Sequence, residues 1–297
     1  MSRSAPRRFE GDAVLLLITL FWGATFVVVK GALSHSDPFS FLALRFGVGA
    51  LVVSAFAGRA LKDRDSVRAG LLLGVFLFLG FAFQTTGLVY TTPSRSAFLT
   101  GLSVLLVPFV SLGLYRRWPK PPTLLGVGLA VVGLYALTGG LSGNGSATWR
   151  GDLLTLGCAV AYAFQITLTE QYAPRTNIAA LVATQLWTVT VLSVVALAVI
   201  GSPRFEPTWS LWGAIAFCGL FASAGAIFVQ TWAQARTTAV RAALIFSLEP
   251  VFAAITALLV GREVMGRKEL VGGALIVLGV VVAEAGNALW ARWWAKA

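Results

Sequence analysis

Residues 84–97 read QTTGLVYTTPSRSA, and residues 230–243 read QTWAQARTTAVRAA. A displacement of 146 positions lays Gln84 on Gln230, Thr91-Thr92 on Thr237-Thr238 and Arg95 on Arg241. The register runs without a gap over 84–133 against 230–279, with 14 identities in 50 positions, among them Gly126 on Gly272 and Gly133 on Gly279. Shared apolar composition aligns leucines and valines; it does not readily bring Gln, Thr pairs and Arg into one register. At a displacement of 140, Gly11-Asp12 meets Gly151-Asp152 and Trp22 meets Tyr162. The chain is therefore expected to hold two related halves, 1–145 and 146–297, within one membrane domain.

What each half builds follows from composition. Of 297 residues, 57% are hydrophobic and 12% charged, about half the charged share of a soluble domain. A bilayer core of about 30 Å needs roughly 20 apolar residues per helix. Runs of that length recur near 12–33, 38–58, 69–89, 96–115, 122–140, 151–172, 178–200, 209–233, 240–260 and 268–290. The runs show no sustained alternation of apolar and polar residues, which argues against an outer-membrane barrel, and helices are the other spanning option. The predicted fold is all-α and integral to the membrane, with ten spans. Five spans per half is an odd number, so the second half enters from the opposite side and the halves are inverted repeats. The first span follows Arg3, Arg7 and Arg8 but is too long for a signal peptide and lacks a small-residue cleavage site, so it is expected to be retained.

The net charge of +11 is read as topology, not as nucleic-acid binding. With a cytoplasmic N-terminus, Arg59, Lys62, Arg64, Arg68, Arg116, Arg117 and Lys120 fall in cytoplasmic loops, as the positive-inside rule expects. In the second half Arg175, Arg236, Arg241, Arg292 and Lys296 fall inside, against Arg150, Arg204, Arg262, Arg267 and Lys268 outside. Early spans usually dominate orientation, so both termini are placed in the cytoplasm. Cys158 and Cys218 lie in apolar spans and read as small core residues, with no disulfide framework or metal site. The sole histidine, His35, sits in a short loop. Because no Ser-His-Asp set, phosphate loop or metal-ligand cluster accompanies it, no enzyme or cofactor is expected.

Three segments carry a family resemblance. The first span contains LFWGATFVVVK (20–30) and the second Leu44-Arg45-Phe46. The ninth reads AALIFSLEPV (242–251), followed by Gly261 and Glu263 and then a Gly-rich tenth span. Over nearly its whole length the chain resembles the ten-helix, EamA-like branch of the drug/metabolite transporter superfamily. Many members have adjacent Gly and Glu at that point; here Arg262 intervenes. The stretch TTPSRSAFLTG (91–101), with Pro108 beyond it, is most similar to bacterial aromatic amino-acid exporters. The resemblance implies export of amino acids or related metabolites across the inner membrane, without ATP hydrolysis by this chain.

Candidate residues are those that lipid cannot satisfy. Glu249 lies eight residues beyond Arg241, roughly 12 Å into the core. A carboxylate there should face a cavity, find a partner or take a proton, so it is a candidate for substrate contact or proton sensing, or else a structural hydrogen bond. Pro250 removes a backbone donor beside it and should bend the span; Pro108 is the corresponding candidate in span 4. Gln84 and Gln230 occupy equivalent positions and should point inward, to substrate or to a neighbouring helix. Gln165, with Gln185, is a weaker candidate of the same kind. Trp22 and Tyr162 are equivalent aromatics away from the interfacial belts, able to wall a pocket or simply to pack. Arg45 could hold a carboxylate bidentately, snorkel, or pair with a buried acid.

Lys30 and Glu170 read as surface-level charges, and the glycines of spans 5 and 10 as close-packing scaffold, with weak dimerisation as the alternative. Trp209, Trp290, Trp293 and Trp294 read as interface anchors. Together these features predict an alternating-access exporter of a small molecule, with protons as a further partner and the cavity lined by spans 1, 3, 4, 6, 8 and 9. It would act as a monomer or weak homodimer. The competing classes are a channel or structural subunit and a lipid-modifying enzyme.

Overall fold

The computed structural model describes residues 5–91, 93–116, 118–137, 149–200, 203–259 and 266–294. Gly261, Arg262, Glu263, Arg117, Lys296 and the junction between the two halves lie outside them. The described residues fold mainly into helices: α1 (Ala5–Ala32), α2 (Pro38–Ala57), α3 (Arg64–Val89), α4 (Pro93–Gly101), α5 (Ser103–Tyr115), α6 (Pro121–Leu137), α7 (Trp149–Tyr172), α8 (Ile178–Ile200), α9 (Trp209–Phe217), α10 (Ala226–Gln234), α11 (Ala239–Phe246), α12 (Glu249–Leu259) and α13 (Arg267–Trp294). Among the described residues nine segments are long and apolar enough to cross a bilayer, and Pro121–Ala136 is a shorter apolar tenth.

Lipid as the outer solvent explains the distribution of polarity. Leu51, Phe109, Leu125 and Val199 stand exposed, whereas Arg45, Gln165, Gln185, Gln230 and Gln234 are buried. Backbone groups are satisfied within helices, as a bilayer requires, and side chains cap the starts of α2, α3, α9 and α11. Asp37 accepts from the amides of Phe39 and Ser40, both at 2.9 Å, with Pro38 opening α2. Asp63 caps α3, and the Ser66 hydroxyl donating to it holds its carboxyl below the usual range.

The inversion of the halves is visible in two ion pairs. Arg95, near the start of α4, clasps Asp152 at the start of α7 through nitrogen–oxygen contacts of 2.7 and 2.8 Å. Arg241, near the start of α11, meets Asp12 of α1 at 2.6 Å. Adding 146 to Arg95 and subtracting 140 from Asp152 gives Arg241 and Asp12, so one contact is made twice. The two lie at opposite ends of α1. Its far end carries Lys30, which donates to the carbonyls of Leu88, Val89 and Thr91 just before α4.

Helices α6 and α13 pack most extensively of all. A Cβ on Gly126 would stand 2.5 Å from the Gly279 carbonyl, and one on Gly133 2.6 Å from that of Gly272. Here too 126 maps onto 272 and 279 onto 133. The glycines permit backbone contact that any side chain would prevent.

Three features depart from the sequence reading. Span 4 divides at Leu102, a break the sequence does not signal, whereas span 9 divides at Ser247–Leu248, beside the bend expected at Pro250. Leu102 and Leu248 are 146 apart, so the interruption belongs to the repeat. Pro250 removes the donor that would reach the Phe246 carbonyl, which suits the second break; Pro108 sits inside the continuous α5, six residues past the first. Span 8 contains a π-helical stretch, Cys218–Gly225, between α9 and α10. Lys30 and Glu170, expected as surface-level charges, are helix caps: Lys30 closes the end of α3, and Glu170 accepts from the amide of Ala239 at 2.8 Å to open α11.

Candidate functional site

A cavity of about 70 Å³ lies between the halves, several times the roughly 10–15 Å³ that holds one water. Trp22, Arg45, Gln84, Tyr162, Gln165, Gln230 and Glu249 all line it. Its walls come from spans 1, 3, 4, 6, 8 and 9, with span 2 added through Arg45.

The aromatic wall is set by close helix approach. Trp22 donates from Nε1 to the Ala222 carbonyl at 3.1 Å, and its ring lies 5.5 Å from that of Phe246. Tyr162 packs edge-on to Phe81 at 5.6 Å and donates to Gln84 Oε1 at 3.5 Å. Gln84 in turn donates to Thr100 Oγ1 at 3.2 Å. Gly80 makes room for this ring: a Cβ there would fall 2.2 Å from Tyr162 Cε1.

The charged groups stand apart from one another. Arg45 is 2% exposed; its Nε donates to Ser223 Oγ at 2.8 Å and its guanidinium carbon lies 4.8 and 5.1 Å from the Phe81 and Phe46 ring centres. Cation–π contact and one hydroxyl replace the carboxylate a buried arginine usually finds. Ser223 and Ala222 both belong to the π-helical stretch, which packs directly on α2: a Cβ on Gly219 would lie 2.9 Å from the Arg45 carbonyl. Glu249 begins α12 at the break in span 9 and is half-buried. Among the described residues no hydrogen bond or ion pair engages its carboxylate. Gly23 lets α1 approach it, since a Cβ there would sit 2.8 Å from the Glu249 carbonyl.

The glutamines form a buried network. Gln165 donates to Gln185 at 3.3 Å, Gln230 to Gln165 at 3.3 Å and to Gln234 at 2.9 Å, and Gln234 to the Ile166 carbonyl at 3.1 Å. The two prolines differ: Pro250 packs on Gly101, whose Cβ would stand 3.4 Å from its ring, whereas Pro108 is not among the lining residues. Cys158 and Cys218 are free and buried.

Sequence reading missed Ser223, the Ala222 carbonyl, Phe81, Thr100 and Phe246. The repeat register carried a signal for two of these, because Thr100 and Phe246 occupy equivalent positions 146 apart. Nothing in the sequence marks Ser223, which meets Arg45 from 178 positions further along the chain and through a helix of unusual pitch.

Comparison with known proteins agrees with the duplicated architecture. The EamA-like transporter family profile matches twice, over residues 9–139 and 149–284. An uncharacterized transporter of Archaeoglobus fulgidus is 34% identical over 93% of this chain and 86% of its own. An uncharacterized transporter of Bacillus subtilis is 28% identical over 91% and 92%. A probable amino-acid metabolite efflux pump of Salmonella typhimurium is 28% identical over 56% of each chain. A solved crystal structure at 20% identity superimposes with a TM-score of 0.76 over 92% of this chain and 96% of its own, a likeness of fold. Two inverted sets of membrane helices around a central cavity, matched twice by one profile, make this chain a member of the EamA-like transporter family.

Proposed function

We propose that this protein is a secondary transporter that exports small metabolites, amino acids including aromatic ones, across the cytoplasmic membrane by alternating access. One observation carries the reading: Arg45 and Glu249 face the same aromatic-walled cavity, and neither has a partner of opposite charge. An ionisable group without a counter-charge inside a membrane protein is costly, and a ligand of the right charge can complete it. A free amino acid supplies both missing groups, an α-carboxylate for the Arg45 fork and an α-ammonium for Glu249. Trp22, Phe81, Tyr162 and Phe246 supply an apolar wall suited to a large side chain. The efflux-pump relative supports the same substrate class.

Glu249 is also the candidate proton site. Basic residues at 59, 62, 64 and 68 sit on the face where α1 begins, which favours cytoplasmic termini and an inner-membrane location. Pro250 and the paired breaks in spans 4 and 9 are the candidate hinges.

The test is counterflow in proteoliposomes across a panel of labelled amino acids. Trans-stimulated accumulation selective for aromatic members is expected. Absence of substrate-selective exchange across the panel refutes the carrier reading.

A further inference from the structure

We infer that Gln165, Gln185, Gln230 and Gln234 form the gate at the N-terminal end of the substrate path, a cluster that separates when the opposite end of the path shuts. The inference rests on the carrier reading, although its test needs no transported substrate. Subtracting 140 from Gln165 and Gln185, and 146 from Gln230 and Gln234, gives Thr25, Arg45, Gln84 and Leu88. All four of these first-half residues line the cavity. Of their second-half counterparts, Gln165 and Gln230 touch it at mid-depth, while Gln185 and Gln234 are wholly buried. Val29 repeats the pattern: it lines the cavity, and Thr169, its equivalent at a displacement of 140, is fully buried. The cavity is therefore one-sided, reaching from mid-depth toward the face that carries Lys30.

A carrier built from inverted halves reaches its other state when each half takes up the conformation of the other. A contact that already occurs in both halves survives that exchange, and a contact found in one half alone must be broken. The ion pairs Arg95–Asp152 and Arg241–Asp12 are of the first kind. The glutamine bonds are of the second. The counterpart of Gln230–Gln165 is Gln84–Thr25, yet Gln84 bonds Thr100 and Tyr162, while Thr25 bonds the Trp22 carbonyl of its own helix. The counterpart of Gln165–Gln185 is Thr25–Arg45, yet Arg45 bonds Ser223.

The chemistry suits a contact that opens and closes. Amide-to-amide bonds join α7 to α8 and α7 to α10 without ionic attraction, and both are long at 3.3 Å; the shorter one, Gln230 to Gln234, lies within α10. Gln185 Nε2 has no partner among the described residues, so water admitted by opening satisfies a donor that closure leaves bare. The apolar equivalent of Gln234, Leu88, offers no such bond.

The experiment gives the closed end the chemistry of the open one. In a background with Cys158 and Cys218 replaced by alanine, single cysteines at Thr169→Cys or Val29→Cys report each end by their rate of reaction with maleimide in detergent. Adding Gln234→Leu, which imitates Leu88, is expected to raise the rate at 169 on the order of tenfold, through loss of the interhelical bond to the Ile166 carbonyl and of the bond to Gln230 within α10, and to lower the rate at 29. Gln185→Met is the second variant, since it removes a group already short of a partner and leaves the larger contacts of α10 in place. Reciprocal change at the two ends supports the gate. An unchanged rate at 169 overturns it, and so does a rise at 169 without a fall at 29, which is local loosening. Loss of counterflow in the unaltered protein would refute the carrier reading instead, a separate result.

Discussion

Replacing Arg45 by glutamine removes the cation proposed to hold a substrate carboxylate, and the structure sets the size of the effect. The guanidinium is 2% exposed and one of its nitrogens is committed to Ser223. The remaining fork can give two charge-assisted hydrogen bonds, worth about 1.5–3 kcal/mol each. Competition from water in a cavity of about 70 Å³ reduces the pair to a net of about 3 kcal/mol, or roughly a hundredfold in affinity. The same loss can be imposed from the other side by using the decarboxylated amine of the preferred amino acid. A double cycle of protein and ligand therefore isolates the contact. The wild type should bind the amino acid about a hundredfold more tightly than its amine, and Arg45→Gln should bind the two within a few fold. Competition against labelled substrate in counterflow measures all four combinations, with a thermal melt to show that the variant is folded. If Arg45→Gln keeps the full discrimination between acid and amine, Arg45 does not hold the carboxylate and the proposed pose is refuted.

Glu249→Gln should keep counterflow exchange while abolishing the acceleration produced by an imposed pH gradient; an unchanged response removes Glu249 as the proton site. Gly133→Val should lower the thermal midpoint in detergent, costing about 1–3 kcal/mol, because its Cβ would press on the Gly272 carbonyl at 2.6 Å; Gly128→Val, where nothing lies within 4 Å, should not. The loop contact of Glu206 with Arg204 and His35 should be acid-sensitive. Arg204, and then His35, hold the Glu206 carboxyl below its ordinary 4.5, so its contribution is present above that value and lost as pH falls through the lowered one. Amide exchange at Asp37 and Glu206, whose N–H groups bond across these loops, should quicken beyond the intrinsic rate as pH falls below 4.5. Glu206→Gln should show no such change.

The fold was legible because lipid imposes simple rules: long apolar runs mark spans, and a shared register of Gln, Thr, Arg and Gly marks the duplication. Trp22 with Tyr162, and Gln84 with Gln230, were legible for a second reason. Polar or bulky residues recurring at equivalent depths in two halves must face whatever the halves share. Lys30 was misread because a lysine near a helix end usually reaches water; here the carbonyls that close α3 lie nearer. The break in span 4 was illegible because proline is the visible cause of helix breaks, and Leu102 has none beside it. Only its equivalent in the repeat, Leu248, has a proline close behind it, Pro250. The π-helical stretch has no signature either, since CGLFASAG reads as an ordinary small-residue helix until Ser223 is seen against Arg45.

The crossing of α6 and α13 has a property the other helix pairs lack in such pure form. Gly126 against Gly279 and Gly133 against Gly272 are images of each other, so exchanging the shapes of the two halves returns the same pair of contacts. Such a seam is a natural fulcrum: it can stay shut throughout the cycle while cavity and gate trade places around it. Stapling Thr123 to Asn287, already joined by a hydrogen bond of 2.9 Å at one end of this seam, would then leave turnover intact, whereas a tether between Gln165 and Gln185, a contact made in one half alone, would stall it.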